Sequence, residues 1–467
     1  MEFSIVNFSA VTAQADIRFD ADYYKPKYLE EEKQVKSHQV VFIGDVAFIT
    51  DGQHGYHEVD EKSPILHLTA KNAKNWFADS ENADRIAKWV DDKNKRSSLV
   101  ENDLILSTRG TVGYCAIVKS NVLPANIDQD VARIAIEKNF LLPEYLLSFL
   151  NCQYGQDWIQ RNSTGMVQQG LSLQKVRQTP VPLLSIEFQD GIKAVVDNSL
   201  HCRNLSKCLF KSAEESLLLE LGLTNWQPKH HLSFVKNYSD TEQAGRIDAE
   251  YFQPKYEEIE QAIKQYSGGC STIGKEFRQN KSTFKIDNKK TYQYVEIGSV
   301  DVSNGDITPN EVIGEELPAN AKRILKKNDV IVSKVRTYRG AITIVEESGY
   351  VGSGAFTVLS EKGRINKETL LAFLRSKPLL AWSLKPNTGT SYPVIIDDDI
   401  LSLPIPLISK SNQLEIQQKV SEAFKLRKQS KHLLECAKRA VELAIEQDEQ
   451  AAMDWLEKET GALLRQE

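Results

Sequence analysis

Residues 18–28 read RFDADYYKPKY and residues 246–256 read RIDAEYFQPKY, with seven identities in eleven positions at an offset of 228. Working outward, the parallel continues in chain order. Ile43-Gly44 is echoed by Ile273-Gly274, and Glu101-Asn102-Asp103-Leu104-Ile105-Leu106-Ser107 by Lys327-Asn328-Asp329-Val330-Ile331-Val332-Ser333. Leu146-Leu147-Ser148-Phe149-Leu150 matches Leu370-Leu371-Ala372-Phe373-Leu374, Thr164-Gly165 matches Thr388-Gly389, and Pro180-Val181-Pro182-Leu183 matches Pro404-Ile405-Pro406-Leu407. The offset drifts from 230 to 224, as small loop insertions would make it do. A repeat unit of half the chain means a duplicated domain and not a solenoid.

Each half follows one plan. Short β-type runs come first (Ser63–Leu68, Asp103–Ser107 and Ala116–Val118, then Tyr292–Ile297, Asp329–Ser333 and Ala341–Val345), punctuated by Gly, Asn and Asp. A helical stretch follows, Pro143–Leu150 and Lys367–Leu374, and a Pro-x-Pro element closes the globular part. Beyond it, residues 192–221 and about 411–460 contain neither Gly nor Pro. They carry apolar residues near helical spacing: Ile192, Val195, Val196, Cys202, Leu209, Ala213 and Leu217, then Ile416, Val420, Ala423, Leu434, Ala437, Val441 and Ala444. Asn412 and Glu415 are spaced as a capping box, and Gly461 as a stop. Thirty-odd helical residues reach roughly 50 Å, too far to pack on one small domain. Pairing of the two copies as a coiled coil is the economical solution, and each helix covering its own domain is the alternative. The segment 222–245 between the halves reads as a linker, with His230 and His231 solvated.

The expected fold class is therefore α/β (α+β). Residues 1–187 form a first globular head and 188–222 a spacer helix, 223–410 a linker and second head, and 411–467 a second spacer helix and tail. Hydrophobic residues make up 41% and charged residues 26%, the balance of a soluble globular protein. No apolar run is long enough to span a membrane, and the start has no secretory-leader pattern. The six scattered cysteines lack a CxxC pair, so reduced thiols, a cytoplasmic location and no structural zinc are expected. A net charge of −6 argues against a protein that coats nucleic acid non-specifically, while leaving room for local basic loops.

The tandem of two heads, each followed by a long helix, resembles the specificity subunit of type I restriction-modification systems. The motifs that carry the likeness are Ile43-Gly44-Asp45 and Asn102-Asp103-Leu104-Ile105-Leu106-Ser107-Thr108-Arg109-Gly110 with Gly113. Tyr145-Leu146-Leu147 before Phe149-Leu150, and Gly170-Leu171-Ser172 running into Pro180-Val181-Pro182, complete the set. The second copy departs from it: Ser107-Thr108-Arg109-Gly110 becomes Ser333-Lys334-Val335-Arg336, and Gln168-Gln169-Gly170-Leu171-Ser172 has no clear counterpart beyond Ser391-Tyr392-Pro393. The departures suggest heads that read different sequences.

The resemblance implies that each half is a target recognition domain for one half of a split, asymmetric site in double-stranded DNA. The helices would pair antiparallel and fix the separation of the heads, as a rigid spacer fixes half-site spacing. It implies as partners two methylation subunits that bind S-adenosylmethionine and ATP-dependent, Mg-using restriction subunits, with no cofactor in this chain. Base reading needs donor- and acceptor-rich side chains on supported loops, and positioning needs Lys or Arg near phosphate. Candidates in the first head are Gln53, His54, Tyr56, His57, Lys71, Lys74, Arg109, Thr111, Gln168 and Gln169. In the second they are Lys281, Lys285, Lys334, Arg336, Tyr338, Arg339 and Tyr392. Arg109 and Arg336 stand out because they fall in matching turns. Arg18, Asp20, Tyr23 and Tyr24, with Arg246, Asp248, Tyr251 and Phe252, recur in both copies and are expected to meet a partner subunit or dock against helices.

Enzyme readings fail on motifs. No phosphate loop of the G-x-x-x-x-G-K-[ST] type, HExxH site, GxSxG elbow or glycine-rich nucleotide fingerprint is present. Asp103 and Asp329 open strands, where a turn role suffices, and His54 with His57 lacks companions for a metal site. The chain is thus expected to be non-catalytic. Two other functions stay open: a recognition subunit of another phage-defence methyltransferase system, and a coiled-coil scaffold whose heads bind protein.

Overall fold

The computed structural model describes residues 4–12, 18–165, 169–387 and 392–464. The chain divides into two compact units, residues 1–203 with 427–467, and residues 204–426. Both boundaries fall inside the long helices rather than at their ends.

Among the described residues the first unit holds nine strands: β1 (Val40–Phe42), β2 (Ala47–Asp51), β3 (Leu66–Leu68), β4 (Asp84–Arg85), β5 (Leu104–Ser107), β6 (Cys115–Ile117), β7 (Ala125–Ile127), β8 (Val131–Ile136) and β9 (Pro180–Pro182). An antiparallel sheet runs in the order β2-β8-β5-β6. A second runs β4-β3-β7, with β3 and β7 parallel. Strand β5 is buried along its whole length, which is why Leu104-Ile105-Leu106 is an apolar run and not an alternation, and the buried Ser107 hydroxyl is satisfied by the Thr111 carbonyl and the Tyr114 amide. The turn before β5 needs a left-handed residue, and Asn102 supplies it at φ 71°. The Asp103 carboxylate then accepts from the Val100 amide at 2.8 Å and from Arg133 Nε at 2.7 Å. Burial nonetheless raises its pKa above the ordinary carboxylate value, against the pull of Arg133.

The second unit repeats the plan with β10 (Cys270–Thr272), β11 (Phe277–Gln279), β12 (Thr291–Val295), β13 (Asn310–Ile313), β14 (Ala321–Ile324), β15 (Val330–Ser333), β16 (Ile342–Ile344), β17 (Tyr350–Ser353), β18 (Phe356–Glu361) and β19 (Pro404–Pro406). Its sheets run β11-β18-β15-β16 and β13-β12-β17-β14, with β12 and β17 parallel. Strand β14 has no counterpart among the described residues of the first unit. Asn328 is again left-handed, at φ 74°, and the Asp329 carboxylate accepts from Asn280, the Ser360 hydroxyl and the Lys326 amide. These Asn-Asp pairs shape a turn in both heads.

The Pro-x-Pro elements are strands. Strand β9 pairs antiparallel with β1, and β19 with β10. The Ile43 amide donates to the Thr179 carbonyl and the Leu183 amide to Gln39; Ile273 donates to Leu403 and Leu407 to Gly269. The prolines therefore occupy the alternate positions, where an N–H would point away from the partner strand, so its absence costs no ladder bond. The glycine turn expected at Ile43-Gly44-Asp45 is one helical turn, Ile43–Val46, packed so closely that a Cβ on Gly44 would stand 2.8 Å from the Arg177 side chain.

The repeated Arg-x-Asp-x-x-Tyr segment is a staple within each unit. Arg18 makes a two-pronged pair with Asp20 at 2.7 and 3.0 Å, donates to the Arg161 carbonyl, and lies over the Tyr23 ring. Arg246 does the same with Asp248, the Pro386 and Asn387 carbonyls, and Tyr251. Each ties the incoming chain to the C-terminal end of a short helix or the turn just after it, where exposed carbonyls accept.

The two long helices are α1 (Ile186–Glu220) and α2 (Lys410–Glu446). In the first unit, Ser199 and Ser430 exchange hydroxyl-to-carbonyl hydrogen bonds at 2.9 and 2.8 Å, and Ser185 meets Glu449, so the segments run antiparallel. In the second unit, Ser206 donates to the Ala423 carbonyl at 2.6 Å, and Glu220 accepts from Asn412 at the far end, again antiparallel. Val195, Val196, Ala437 and Val441 are buried in the first unit, and Ala213, Leu217, Ile416 and Val420 in the second.

The sequence expectation needs three corrections here. The expected capping box at Asn412 is absent; the Ser409 hydroxyl accepts from the Asn412 amide, and the Asn412 side chain is spent on Glu220. The second helix also does not run through to Gly461. It ends at Glu446, and a new helix, α3 (Glu449–Leu464), starts where the Asp448 carboxylate caps the Ala451 amide. Gly461 lies inside α3. The expected linker, in turn, contains a short helix, Tyr238–Ala244, ended by left-handed Gly245.

Candidate nucleic-acid interface

In the first head three chain turns converge on the segment 127–130, and a fourth stretch, Gly170-Leu171, bonds to the last of them. Strand β2 runs into Gly52 and Gln53, whose amides donate to the Asp128 and Ile127 carbonyls at 3.1 and 3.3 Å. Strand β3 ends at Leu68, whose carbonyl accepts from the Asp128 amide, and the turn with Lys71 and Lys74 follows. Strand β5 leads to Thr108, which donates to the Asp130 carbonyl, while the Thr108 carbonyl accepts from Leu171. Arg109 then bridges Gly170. The expected residues Gln53, His54, Lys71, Lys74, Arg109, Thr111 and Gln169 thus gather at one end of the head. Gln168 lies outside the described residues.

These side chains differ in freedom. Gln53 is committed: its amide nitrogen donates to the Tyr56 carbonyl, and its oxygen accepts from Asn94. His54 bonds Asp51 at 2.8 Å, and Asp51 also pairs with Arg96 at 3.1 Å. Tyr56 is 89% exposed. His57 packs against His67, ring centroids 4.0 Å apart, and its Nε2 is buried, 3.7 Å from Asp84. It is therefore poorly placed to read a base. Burial, helped by His57, pushes the His67 pKa down to about 4. Lys71, Lys74 and Thr111 are exposed, and Arg109 is half exposed with its guanidinium 3.7 Å from Asp130. Burial raises the Asp128 pKa to about 6. Arg96, Asp128 and Asp130 were not singled out by sequence, because their partners lie tens of residues away.

In the second head the Lys334 amide donates to the Ala355 carbonyl, its carbonyl accepts from Ile395, and Val335 bridges Val394. This is the bonding pattern of Thr108, Leu171, Arg109 and Gly170. Residues 394–396 are thus the counterpart of 170–172 that the sequence did not reveal. The match keeps the register read from the sequence: Arg109 corresponds to Val335, and Arg336 stands where the first head has Gly110, so the two arginines share a turn but not a position. Both Gly110 (φ 73°) and Arg336 (φ 50°) are left-handed. Lys334 is half-buried and paired with Asp397 at 3.2 Å. Burial works to raise the Asp397 pKa, but the Thr357 hydroxyl and the Lys334 charge outweigh it and hold it below the ordinary value. Arg336 lies over the Tyr392 ring at 4.6 Å, and Arg339 near the Tyr338 ring at 6.0 Å. Lys281 and Lys285 are exposed, but the chain carries them away from this turn. It passes β14, where Ser282 accepts from the Ile324 amide, to Asp287 beside the start of β12. They do not join the cluster.

Among the described residues no group of three His, Cys, Asp or Glu is placed to hold a metal, and no helix is long and apolar enough to cross a membrane.

Comparison with known proteins adds independent findings. Residues 269–435 match the family model for the type I restriction modification DNA specificity domain. The chain is 29% identical over 144 residues to the type I restriction enzyme EcoBI specificity subunit of Escherichia coli, a match spanning 28% of this chain and 30% of that relative's length. Among solved structures, it is similar to the type I restriction-modification S subunit from M. genitalium (12% identity, TM-score 0.41, covering 87% of this chain and 95% of that one). It is also similar to the HsdS subunit from Thermoanaerobacter tengcongensis (14%, 0.27, 88% and 97%). Residues 269–435, the greater part of the second head with most of its long helix, are therefore identified as a type I restriction modification DNA specificity domain.

Proposed function

We propose that the chain is the DNA-recognition subunit of a type I restriction-modification complex, each head reading one half of a bipartite, asymmetric site. The observation that carries this reading is the coincidence of the family match with the internal repeat. The matched residues 269–435 have a counterpart in the first half that repeats the clasp, the sheet order around the central strand, the recognition turn and the long helix. A duplicated reader fits a split site, and heads that differ in their turns fit half-sites that differ in sequence.

In this reading the helices, 35 and 37 residues long, set the half-site spacing and dock two methylation subunits, with ATP-dependent restriction subunits joining the assembly. The chain itself is non-catalytic and works inside the cell beside the chromosome. S-adenosylmethionine, ATP and Mg belong to the partners. The Asn-Asp turns favour this over a nuclease reading, because Asp103 and Asp329 are spent on structural hydrogen bonds.

The test is single-molecule sequencing of methylated bases in the native genome with and without the gene. Loss of methylation at one motif, two short half-sites around a fixed gap, is the expected result. An unchanged methylome in cells that express the system would overturn the reading in favour of a protein-binding scaffold.

A further inference from the structure

We propose that Arg336 reads a guanine in the half-site of the second head, presented for that purpose by its left-handed backbone and by stacking on Tyr392. The inference rests on the DNA-recognition reading above and adds a base and a geometry to it.

The first observation is backbone strain. Arg336 sits at φ 50°, ψ 44°, a region that costs a residue with a Cβ but not glycine. The first head places Gly110 at the equivalent point. A merely solvated side chain gives no reason to hold an arginine where glycine or asparagine fits better, and strain retained on a surface turn points to function. The conformation is held from outside: the Arg336 amide donates to the Pro393 carbonyl at 2.8 Å, and Val335 and Val394 form a bridge.

The second observation is the guanidinium itself. One face lies on the Tyr392 ring at 4.6 Å, and that tyrosine is 65% exposed, so the stack stands at the surface. Among the described residues no carboxylate pairs with Arg336. Lys334, two residues before it, is paired with Asp397 instead, and in the other head Arg109 lies 3.7 Å from Asp130. A guanidinium that stacks on a ring face keeps its in-plane N–H donors free for a partner. Two parallel donors match two adjacent acceptors, which in the major groove guanine offers as O6 and N7; adenine puts a donor beside its N7. A planar fork fixed before binding loses less freedom on contact than a free side chain does.

The competing role is a phosphate contact, and the two separate cleanly. Losing a phosphate contact weakens binding alike for all sequences, whereas losing a base reader relaxes one position. The experiment uses the complete system expressed with its partners and measures methylation rates on plasmid targets carrying each of the four bases at every second-half position. Arg336→Lys, Arg336→Gly and Tyr392→Ala are compared with the native chain.

The expected result is an unchanged first half-site. At a single guanine of the second, discrimination falls about ten- to hundredfold in both Arg336 variants, with a smaller fall for Tyr392→Ala. Arg336→Gly should melt at or above the native temperature, since it removes strain, which separates lost reading from lost folding. A uniform fall in rate at all positions, or an unaltered motif in Arg336→Lys, would overturn the proposal while leaving the protein's broader role intact. If the native system shows no bipartite motif, it is the broader reading that fails.

Discussion

Replacing Asp128 by asparagine is predicted to stabilise the first head at neutral pH. Asp128 lies in the segment on which three recognition turns converge: its amide donates to Leu68, its carbonyl accepts from Gly52, and its carboxylate accepts from the Asp130 amide at 3.0 Å. Burial, with the neighbouring Asp130 charge adding to it, raises its pKa from 3.8 to about 6, and the Asp130 amide only partly offsets this. A folded-state pKa above the unfolded one means that the native state binds its proton more tightly. Ionisation therefore costs stability progressively as pH rises from 3.8 through about 6, and the full cost is present above that. About two pH units correspond to about 3 kcal/mol, which partial exposure of the side chain reduces to about 1–2 kcal/mol. Asparagine keeps an oxygen for the Asp130 amide and removes the charge. Amide hydrogen exchange at Gly52 and Asp128, compared between variant and native chain at each pH, reads the effect locally. Protection should be higher in Asp128→Asn by about 1–2 kcal/mol at pH 7.5, with the gap closing below about pH 4.5. Equal protection at pH 7.5, or a gap that widens on acidification, would refute the reasoning.

Three further outcomes follow from the same geometry. Gly52→Ala would put a Cβ 1.8 Å from the Ile127 carbonyl oxygen; separating the strands breaks two backbone hydrogen bonds, and a loss of about 2–4 kcal/mol is expected in urea denaturation of the first unit. Asn328→Val, which forces a β-branched residue to φ 74°, should cost about 1–2 kcal/mol, whereas Asn328→Gly should be nearly neutral in thermal melts. His67, buried and neutral with its pKa lowered to about 4, contributes stability that is lost as pH falls from 6.5 towards 4. Its ring resonances should show no titration above about pH 5, and a midpoint near 6.5 would contradict the assignment.

Much of the architecture was legible because the repeat exposes what the backbone demands. Asn-Asp before β5 and β15, Pro-x-Pro in β9 and β19, and Arg-x-Asp-x-x-Tyr in the staples each answer a local requirement, so duplication preserved them. The long helices were legible from the absence of Gly and Pro, but the break at Asp448 was not, since asparagine and aspartate caps look like ordinary surface residues inside a helical pattern. The candidate interface was only partly readable. The turn after the central strand is one residue longer in the second head, spanning Ser333 to Ala341 where the first spans Ser107 to Tyr114. Arg109 and Arg336 fall in this turn in both heads, but one position apart, with Arg109 at the place of Val335 and Arg336 at that of Gly110. Lys281 and Lys285 were candidates by residue type, but the chain that carries them runs along β14, where Ser282 bonds Ile324, and away from the turn. The restraints on individual side chains, Asp51 on Arg96, Asp130 on Arg109 and Asp397 on Lys334, join residues too far apart in sequence to be paired by eye.

The two-stranded clasps have a consequence for how such a protein can change. The chain enters the first head through Val40–Phe42 and leaves it through Pro180–Pro182, and these strands lie side by side. The second head is entered and left through Cys270–Thr272 and Pro404–Pro406 in the same way. Each head is thus a detachable cassette with both ends at one seam. A foreign cassette whose ends close on the same pair of strands could be spliced in by a single recombination event. The long helices would remain as they are, and the staples would close again where the incoming cassette offers carbonyls at the places of Arg161, or of Pro386 and Asn387. In the DNA-recognition reading proposed above, the new chain would exchange one half of its site while keeping the other.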